Sequence, residues 1–308
     1  MSTKAIDVRS AKAGQVGSLR RWTRRKSTIA FLMCVPLLIV IFGLGAYPAM
    51  YAFWLAMLNK AETQFVGLGN FIFLFKRDTF WMVVYQSCIF ALTAVFFKAL
   101  IGFIAAHVVN NIPAKGQRKW RGMLLVPWVI PPALSTLGWW WLFDPTYSGL
   151  NWFLGQFSSL EIPWLAEPFW ARFSVILVNT WYGAPFFMIM YLAALKSIPE
   201  ELYEAASIDG ANAWQKLIHI TLPMMKNIIA ITVLFSTIVT FANFDIVRVL
   251  TQGGPRNTTH MFATYAFKLG IESGDIPLGA AVSLFMFPIL AVFAYFILRN
   301  VRRRTSEI

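Results

Sequence analysis

Long apolar runs separated by short polar segments make up most of this chain. A hydrocarbon core of about 30 Å requires about 20 consecutive apolar residues in a helix. Six runs meet this length, at approximately 29–55, 80–108, 123–143, 173–195, 224–245 and 277–298. The pattern therefore predicts six transmembrane helices.

Composition agrees with a membrane protein. The chain is 58% hydrophobic and only 13% charged, with a mean hydropathy of +0.60, which lies outside the range of soluble domains. The formal net charge of +13 could suggest a nucleic-acid partner. A nucleic-acid binder needs its cations on one face that follows the strand, whereas these cations flank apolar runs. We therefore expect no nucleic acid as a partner, and membrane lipid as the surroundings.

Lys and Arg are unevenly divided between the two sides that six crossings would create. One side holds 19 of the 27 cations, the other holds seven, and Lys98 lies inside a run. Because Lys and Arg are retained on the cytoplasmic side, both termini and residues 197–223 are predicted to be cytoplasmic. The expected divisions are a basic tail at 1–27, a membrane domain at 28–300 and a short tail at 301–308.

Two features interrupt the apolar runs. Pro127, Pro131 and Pro132 lie in the third run, so we expect a kinked helix there, packed against its neighbours. Lys98 lies near the middle of the second run, where a cation costs about 2.5 to 3.5 kcal/mol. It should face protein or water, and the alternatives are that its stem snorkels or that this helix is long and tilted.

The sequence lacks the patterns of an enzyme. It has no HExxH, no GxSxG and no cluster of His or Cys, and Cys34 and Cys88 both lie in apolar runs. We therefore expect no disulfide and no metal site. The phosphate-binding pattern GxxxxGK[ST] is also absent, so any ATP site is expected on another chain.

Polar and aromatic residues recur at helical spacing in two apolar runs. They are Asn179, Tyr182, Gly183 and Phe186 in the fourth run, and Ser236, Thr240 and Asn243 in the fifth. Amides, hydroxyls and aromatic rings suit a sugar site, since they bind hydroxyl groups and pack against a pyranose face. The same residues could instead join helices by hydrogen bonds of about 0.6 kcal/mol each.

The polar segment 197–223 is predicted to form a hairpin of two short helices. Ser197 and Glu200 have the spacing of a capping box, and Gly210 should end the first helix. Glu204 follows Glu200 by four residues, a repulsive pair that a cationic partner surface would relieve. Trp214 could anchor an interface or pack under its own loop.

Several short motifs together resemble one family, the membrane-spanning subunits of binding-protein-dependent ABC importers, in their carbohydrate branch. The motifs are FVGLGNF at 65–71, PW at 127–128 with PP at 131–132, FDP at 143–145, EAA at 204–206, DGA at 209–211, ITLP at 220–223 and LTQGGP at 250–255. The resemblance extends from about residue 28 to residue 300.

This resemblance implies an all-α membrane protein with six transmembrane helices, the type I ABC importer permease fold. It also implies a cytoplasmic-membrane location, a second permease subunit, a cytoplasmic ATPase dimer that holds ATP and Mg, and an extracytoplasmic solute-binding protein. No cofactor is expected on this chain. The hairpin would be the coupling element that contacts the ATPase, through Glu201, Glu204, Ala205, Ala206, Asp209, Gly210, Ala211 and Trp214.

The same resemblance assigns the two polar stripes to the sugar site. By this resemblance the α-helical stripe Asn179, Tyr182, Gly183 and Phe186, with Ser236 and Asn243 in the next helix, matches lining positions of maltose-type permeases. Val239 and Thr240 depart from that pattern, which argues against maltose itself. A non-sugar solute such as a glycerol phosphate is the alternative within this family. A secondary transporter is a further alternative, against which the lack of acidic residues in the runs counts.

Overall fold

A computed structural model of the protein describes residues 26–159 and 161–305. Most of the predicted N-terminal tail, residues 1–25, lies outside the described residues, as do residues 306–308 of the predicted C-terminal tail. The last helix continues to Thr305, past the expected boundary at 300.

The described residues divide into two compact units, with the boundary between Trp54 and Leu55. In the first, α1 (Lys26–Val40) and α2 (Tyr47–Leu55) are joined by a π-helical turn at Ile41–Ala46. The second unit is also helical throughout its regular elements. Its helices are α3 (Gly69–Phe75), α4 (Asp78–Asn110), α5 (Ala114–Val129), α6 (Pro132–Leu142), α7 (Gly149–Gly155), α8 (Pro168–Lys196), α9 (Glu200–Ile208), α10 (Ala213–Lys216), α11 (Leu222–Phe241), α12 (Asp245–Leu250), α13 (Phe262–Phe267), α14 (Ile276–Leu284) and α15 (Met286–Thr305). Two further π-helical turns, Leu217–Thr221 and Lys268–Glu272, precede α11 and follow α13.

Five of the six predicted spans are covered by helical segments that are long and apolar enough to cross a membrane, some of them through a π-helical turn or a short break. Within the described part of the chain they are Ile29–Leu55, Asp78–Asn110, Pro168–Lys196, Ala213–Phe241 and Ile276–Phe296. The remaining apolar run, the third, forms a bent pair, α5 and α6. The prediction of an all-α membrane protein built from these runs is confirmed.

The third run bends more sharply than a kink. Helices α5 and α6 meet at 87°. Pro131 follows Ile130, whose backbone is extended at ψ 134°, because a residue before proline is driven out of the helical region. The single span expected at 123–143 is therefore two helices, the first of which begins at Ala114.

Helices α4 and α8 form the closest packing in the second unit. A Cβ built on Gly102 would lie 2.4 Å from the Cβ of Phe187 and 2.9 Å from the backbone nitrogen of Met188. Only a glycine permits this approach, which is how small residues bring membrane helices together. A buried apolar cluster that includes Ala106 and Tyr191 surrounds this contact. Packing between the two long helices therefore continues beyond the glycine.

The loop with the TQGGP motif is closed by hydrogen bonds between its own residues. The Thr251 and Thr259 hydroxyl oxygens lie 2.7 Å apart, and Thr259 donates to the Gly254 carbonyl at 2.7 Å. Gly253 has φ +86°, and the ring of His260 lies directly against its Cα. Burial, with smaller effects from nearby charges, lowers the pKa of His260 to about 4, so this ring is neutral at pH 7.

We predict that Gly253→Ala destabilises the protein by more than the strain of its left-handed backbone conformation alone. The left-handed φ costs an alanine about 1 to 2 kcal/mol, and the new Cβ would lie 2.1 Å from the His260 ring, which adds overpacking of about 1 to 3 kcal/mol. Gly274→Ala is the matched control, because Gly274 has φ +64° with open space around it. Thermal unfolding of the purified protein should show a larger fall in Tm for Gly253→Ala; equal falls would contradict the contact.

Candidate functional site

The hairpin between α8 and α11 consists of α9 and α10, and Gly210 ends its first helix as predicted. Gly210 has φ +77°. Its N–H donates to the Ser207 carbonyl at 3.1 Å, and the Ala211 N–H donates to the Ala206 carbonyl at 2.9 Å. This pair of bonds is a Schellman motif, in which a glycine adopts the left-handed conformation at low cost.

The predicted capping box at Ser197 is wrong. Helix α9 begins at Glu200, after Pro199, and has no side-chain cap. The Ser197 hydroxyl donates instead to the Ala194 carbonyl at 2.7 Å, at the end of α8. The capping box of the hairpin lies at Asn212 and Gln215, which open α10 with reciprocal bonds of 2.9 and 2.8 Å. The sequence pattern that indicates this capping box is an Asn three residues before a Gln.

Most of the predicted coupling residues lie on the surface. Glu201, Glu204, Ala205, Asp209 and Gly210 are exposed, and Ala206 and Ala211 are half-buried. Trp214 is 67% exposed and Ile208 is 88% exposed. Trp214 therefore does not pack under its own loop, and the hairpin presents apolar and acidic side chains together.

Polar contacts hold the hairpin to the spans. The Tyr203 hydroxyl lies 2.8 Å from the Thr221 hydroxyl, which joins α9 to the turn before α11. At the base, Lys196 donates to the Gln117 side-chain oxygen at 2.6 Å, and Gln117 donates to the Ile112 carbonyl at 2.8 Å. The end of α8 is thereby tied to the beginning of α5.

We predict that Tyr203→Phe loosens the hairpin without unfolding the spans. The change removes one hydrogen bond, with a net effect of about 0.5 to 1.5 kcal/mol, and Thr221 retains its bond to the Lys216 carbonyl. Hydrogen exchange should accelerate in peptides covering 200–216 and stay unchanged in α4. Ser207→Ala is the control, since it removes an exposed contact with Lys216; equal acceleration in both variants would contradict this assignment.

The second candidate region lies where α4, α8 and α11 meet. Asn179 on α8 is 2% exposed and Thr240 on α11 is 1% exposed. Ser236 is also buried, whereas Tyr182, Gly183, Phe186 and Asn243 are half-buried. One predicted position differs: α11 ends at Phe241, so Asn243 lies in the turn that follows and does not continue the helical stripe.

Aromatic side chains extend this region toward the broken helix pair. The Phe186 ring lies 5.4 Å from that of Phe235 on α11 and 5.8 Å from that of Trp128 on α5. Tyr182 lies at the edge of a different buried cluster, and the Asp245 carboxylate is near enough to interact with it electrostatically. The predicted α8 stripe therefore contacts both α5 and α11.

Lys98 joins the two predicted stripes. It is 5% exposed, and its ammonium donates to the Thr240 hydroxyl at 2.9 Å. Its stem fills the space that the absent side chain of Gly183 leaves, since a Cβ there would lie 2.6 Å from the Lys98 Cε. The expectation that Lys98 faces protein is confirmed. Its contacts with both stripes were not predicted, although a lysine in one apolar run and a glycine in another were the available signals.

Several polar atoms in this region have no hydrogen-bond partner within the described residues. They include the side-chain oxygens of Asn179, Thr180 and Asn243. By contrast, Thr232 and Thr237 on α11 donate to carbonyls of their own helix, each at 2.7 Å. The hydrogen bonds between helices that would explain Asn179 and Asn243 as packing residues are therefore missing at their oxygen atoms.

Apolar spanning helices, an exposed polar hairpin between two of them and a polar region inside the bundle define a multi-pass membrane transport component. Comparison with known proteins identifies the group. The chain belongs to the family of binding-protein-dependent transport system inner membrane components, whose model matches residues 98–307. The membership confirms the resemblance inferred from the EAA and TQGGP motifs.

Relatives and solved structures agree with this membership. The chain is 31% identical over 284 residues to the trehalose/maltose transport system permease protein MalF of Thermococcus litoralis, covering 91% of this chain and 96% of the relative. It is 30% identical over 295 residues to the sulfoquinovosyl glycerol transport system permease protein SmoG of Agrobacterium fabrum, covering 93% and 96%. A subunit of the bacterial alginate ABC transporter, crystallised with an alginate pentasaccharide-bound periplasmic protein, superimposes with a TM-score of 0.80 at 25% identity, covering 93% and 98%.

Family membership also establishes the functional class of the protein. It is a membrane component of an ABC importer and not an enzyme, and ATP hydrolysis belongs to a separate subunit.

Proposed function

We propose that this chain is one permease subunit of an importer that moves a saccharide across the cytoplasmic membrane by alternating access. A second permease, an ATPase dimer with ATP and Mg, and an extracytoplasmic solute-binding protein would complete the complex. The observation that carries the proposal is the polar region formed by Asn179, Gly183, Thr240 and Lys98 inside an otherwise apolar bundle. Unpaired amide oxygens inside the bundle are energetically costly, so they are not expected in a chain whose only role is to span the membrane.

The saccharide is supported by the relatives and by the chemistry of the region. The named cargoes of three related systems are trehalose or maltose, sulfoquinovosyl glycerol and alginate, and all three contain sugar units. The Asn179 and Asn243 oxygens can accept from sugar hydroxyls, and Phe186 can offer a flat apolar face to a sugar ring. A glycerol phosphate is the second candidate, because Lys98 supplies a cation beside the same residues.

The hairpin is the proposed contact with the ATPase. Exposed Trp214 and Ile208 supply apolar surface, and Glu201 and Glu204 supply charge for a cationic partner surface. The chain runs from Lys196 at the end of α8 into the hairpin, and Tyr203 ties the hairpin to the turn before α11. A movement of the hairpin would therefore reach both α8 and α11. The uneven distribution of Lys and Arg supports placing the hairpin and both termini in the cytoplasm.

We predict that Glu204→Ala and Gly210→Ala weaken the functional contact between the permease and the ATPase. Loss of an interface residue of this kind costs about 2 kcal/mol or more, which corresponds to at least about a 30-fold loss. Binding-protein-stimulated ATPase activity and uptake should both fall in proteoliposomes containing the whole complex. Subunit assembly, followed by copurification, should persist if the helices remain folded.

Two matched controls separate coupling from local folding. Glu200→Gln keeps a polar side chain in the first turn of α9, where the helix dipole is the main interaction, and Gly274→Ala repeats the left-handed strain outside the hairpin. Both controls should retain activity near that of the unchanged protein. Full activity in Glu204→Ala and Gly210→Ala would show that the hairpin does not couple.

We predict that Asn179→Ala and Asn243→Ala lower transport without changing assembly. Each removes an oxygen that has no partner in the described residues, so a lost solute contact of about 1.4 kcal/mol or more would reduce uptake at least about tenfold. Thr237→Val is the control, because its hydroxyl bonds only to its own helix. Loss of the assembled complex, in place of loss of uptake, would favour the packing role.

A further inference from the structure

Lys98 is buried at mid-span with incomplete hydrogen bonding. Its ammonium has three donors, and the structure gives it one acceptor, the Thr240 hydroxyl at 2.9 Å. Within the described residues no carboxylate lies within 4.0 Å of it; the ion pair found there joins Arg248 to Glu272. An unpaired buried ammonium costs several kcal/mol, so a partner of opposite charge would stabilise it strongly.

The surrounding residues fix the position of this ammonium. Its stem lies over Gly183, where any Cβ would come within 2.6 to 3.1 Å of Cε, Cδ and Nζ. A larger residue on α8 would displace the lysine. The glycine and the Thr240 hydroxyl together hold the charge at the crossing of α4, α8 and α11, and prevent it from extending to a membrane surface.

The ammonium therefore lies on the same surface as the proposed solute contacts. Asn179 lies one helical turn before Gly183 on the same face of α8, and its side-chain oxygen has no partner. Thr240 both binds the ammonium and belongs to the α11 stripe. Asn179, Thr240 and Lys98 are all buried, so a solute would reach them when the helices move apart, and it would then meet the Lys98 ammonium beside Thr240.

We propose that Lys98 is the anion-recognising residue of the solute site, and that the transported solute carries an oxyanion: a carboxylate, a sulfonate or a phosphate. This inference rests on the proposed function and narrows its substrate class. A neutral sugar would leave the ammonium uncompensated in a region of low dielectric. An oxyanion would pair with it and fill the remaining donors with charge-assisted hydrogen bonds.

The test uses the complete complex with its own solute-binding protein in proteoliposomes. Uptake is measured for neutral probes (maltose, trehalose and glycerol) and for anionic probes (a uronate disaccharide, a sulfonated hexose, a hexose phosphate and glycerol phosphate). At least one anionic probe should be taken up with a kcat/KM about 30-fold or more above that of its neutral counterpart. The probe that succeeds identifies the oxyanion and separates an acidic saccharide from glycerol phosphate.

Variants with an unchanged binding protein assign this preference to the permease. Lys98→Gln keeps a hydrogen-bond donor for Thr240 and removes the charge, so uptake of the anionic probe should fall about 30-fold or more, and by a larger factor than uptake of any neutral probe that is taken up. Lys98→Arg keeps the charge and should retain uptake to within about tenfold. Thr237→Val should leave the ratio of anionic to neutral uptake unchanged.

Three results are decisive. If the unchanged complex prefers neutral probes, the inference about Lys98 is overturned and the proposed importer function stands. This comparison tests the inference even if the Lys98 variants fail to assemble. Equal loss of anionic and neutral uptake in Lys98→Gln would overturn it by showing a structural role alone. Absence of both uptake and binding-protein-stimulated ATPase activity with every probe would instead contradict the proposed function itself.

Discussion

The close contact between α4 and α8 is the constraint on which the rest of the second unit depends. Lys98 and Gly102 lie one turn apart on α4, and they face Gly183 and Phe187, which lie one turn apart on α8. The two helices therefore run side by side in the same direction, with a glycine on each side of the contact. Lipid is as apolar as leucine, so this close fit, and not removal of apolar surface from water, holds them together.

One helix of this pair carries both candidate regions. Helix α8 supplies Asn179 and Gly183 to the polar region and continues to Lys196, where the hairpin begins. Pro185 lies inside α8, and the helix nevertheless continues through it, supported by neighbours on both sides. A movement of the hairpin would therefore reach the polar region through one continuous helix and the ties at Lys196 and Tyr203.

The sequence could predict the features that depend on local periodicity and backbone chemistry. Six apolar runs, the break near Pro131 and the end of the first hairpin helix at Gly210 follow from residue spacing and from the conformations that proline and glycine favour. The end of α11 could not be predicted in this way, because no proline or glycine marks it. Asn243 was therefore assigned to a helix that ends at Phe241.

Contacts between helices could not be predicted from the sequence, for a different reason. Spacing shows which residues share a face, but not which faces meet, so the sequence could not identify Thr240 as the partner of Lys98 or Gln117 as the partner of Lys196. Exposure of Trp214 also depends on three-dimensional packing, since the same residue suited an interface or an intramolecular contact equally well.

The distribution of satisfied and unsatisfied polar groups bears on the two explanations of the polar stripes. Threonines that serve the fold, such as Thr232 and Thr237, bond to the preceding turn of their own helix and cost the bundle little. Asn179, Asn243 and Lys98 keep unused hydrogen-bonding capacity, each such group costing about 1 to 3 kcal/mol when buried. A bundle optimised for stability alone would replace these side chains by apolar ones. Among the described residues, Gln86 and Tyr191 also have unpaired polar atoms at other positions on α4 and α8. At the crossing of Lys98, Gly183 and Thr240 the unused donors belong to a cation, and an anionic ligand from outside the chain could complete its hydrogen bonds.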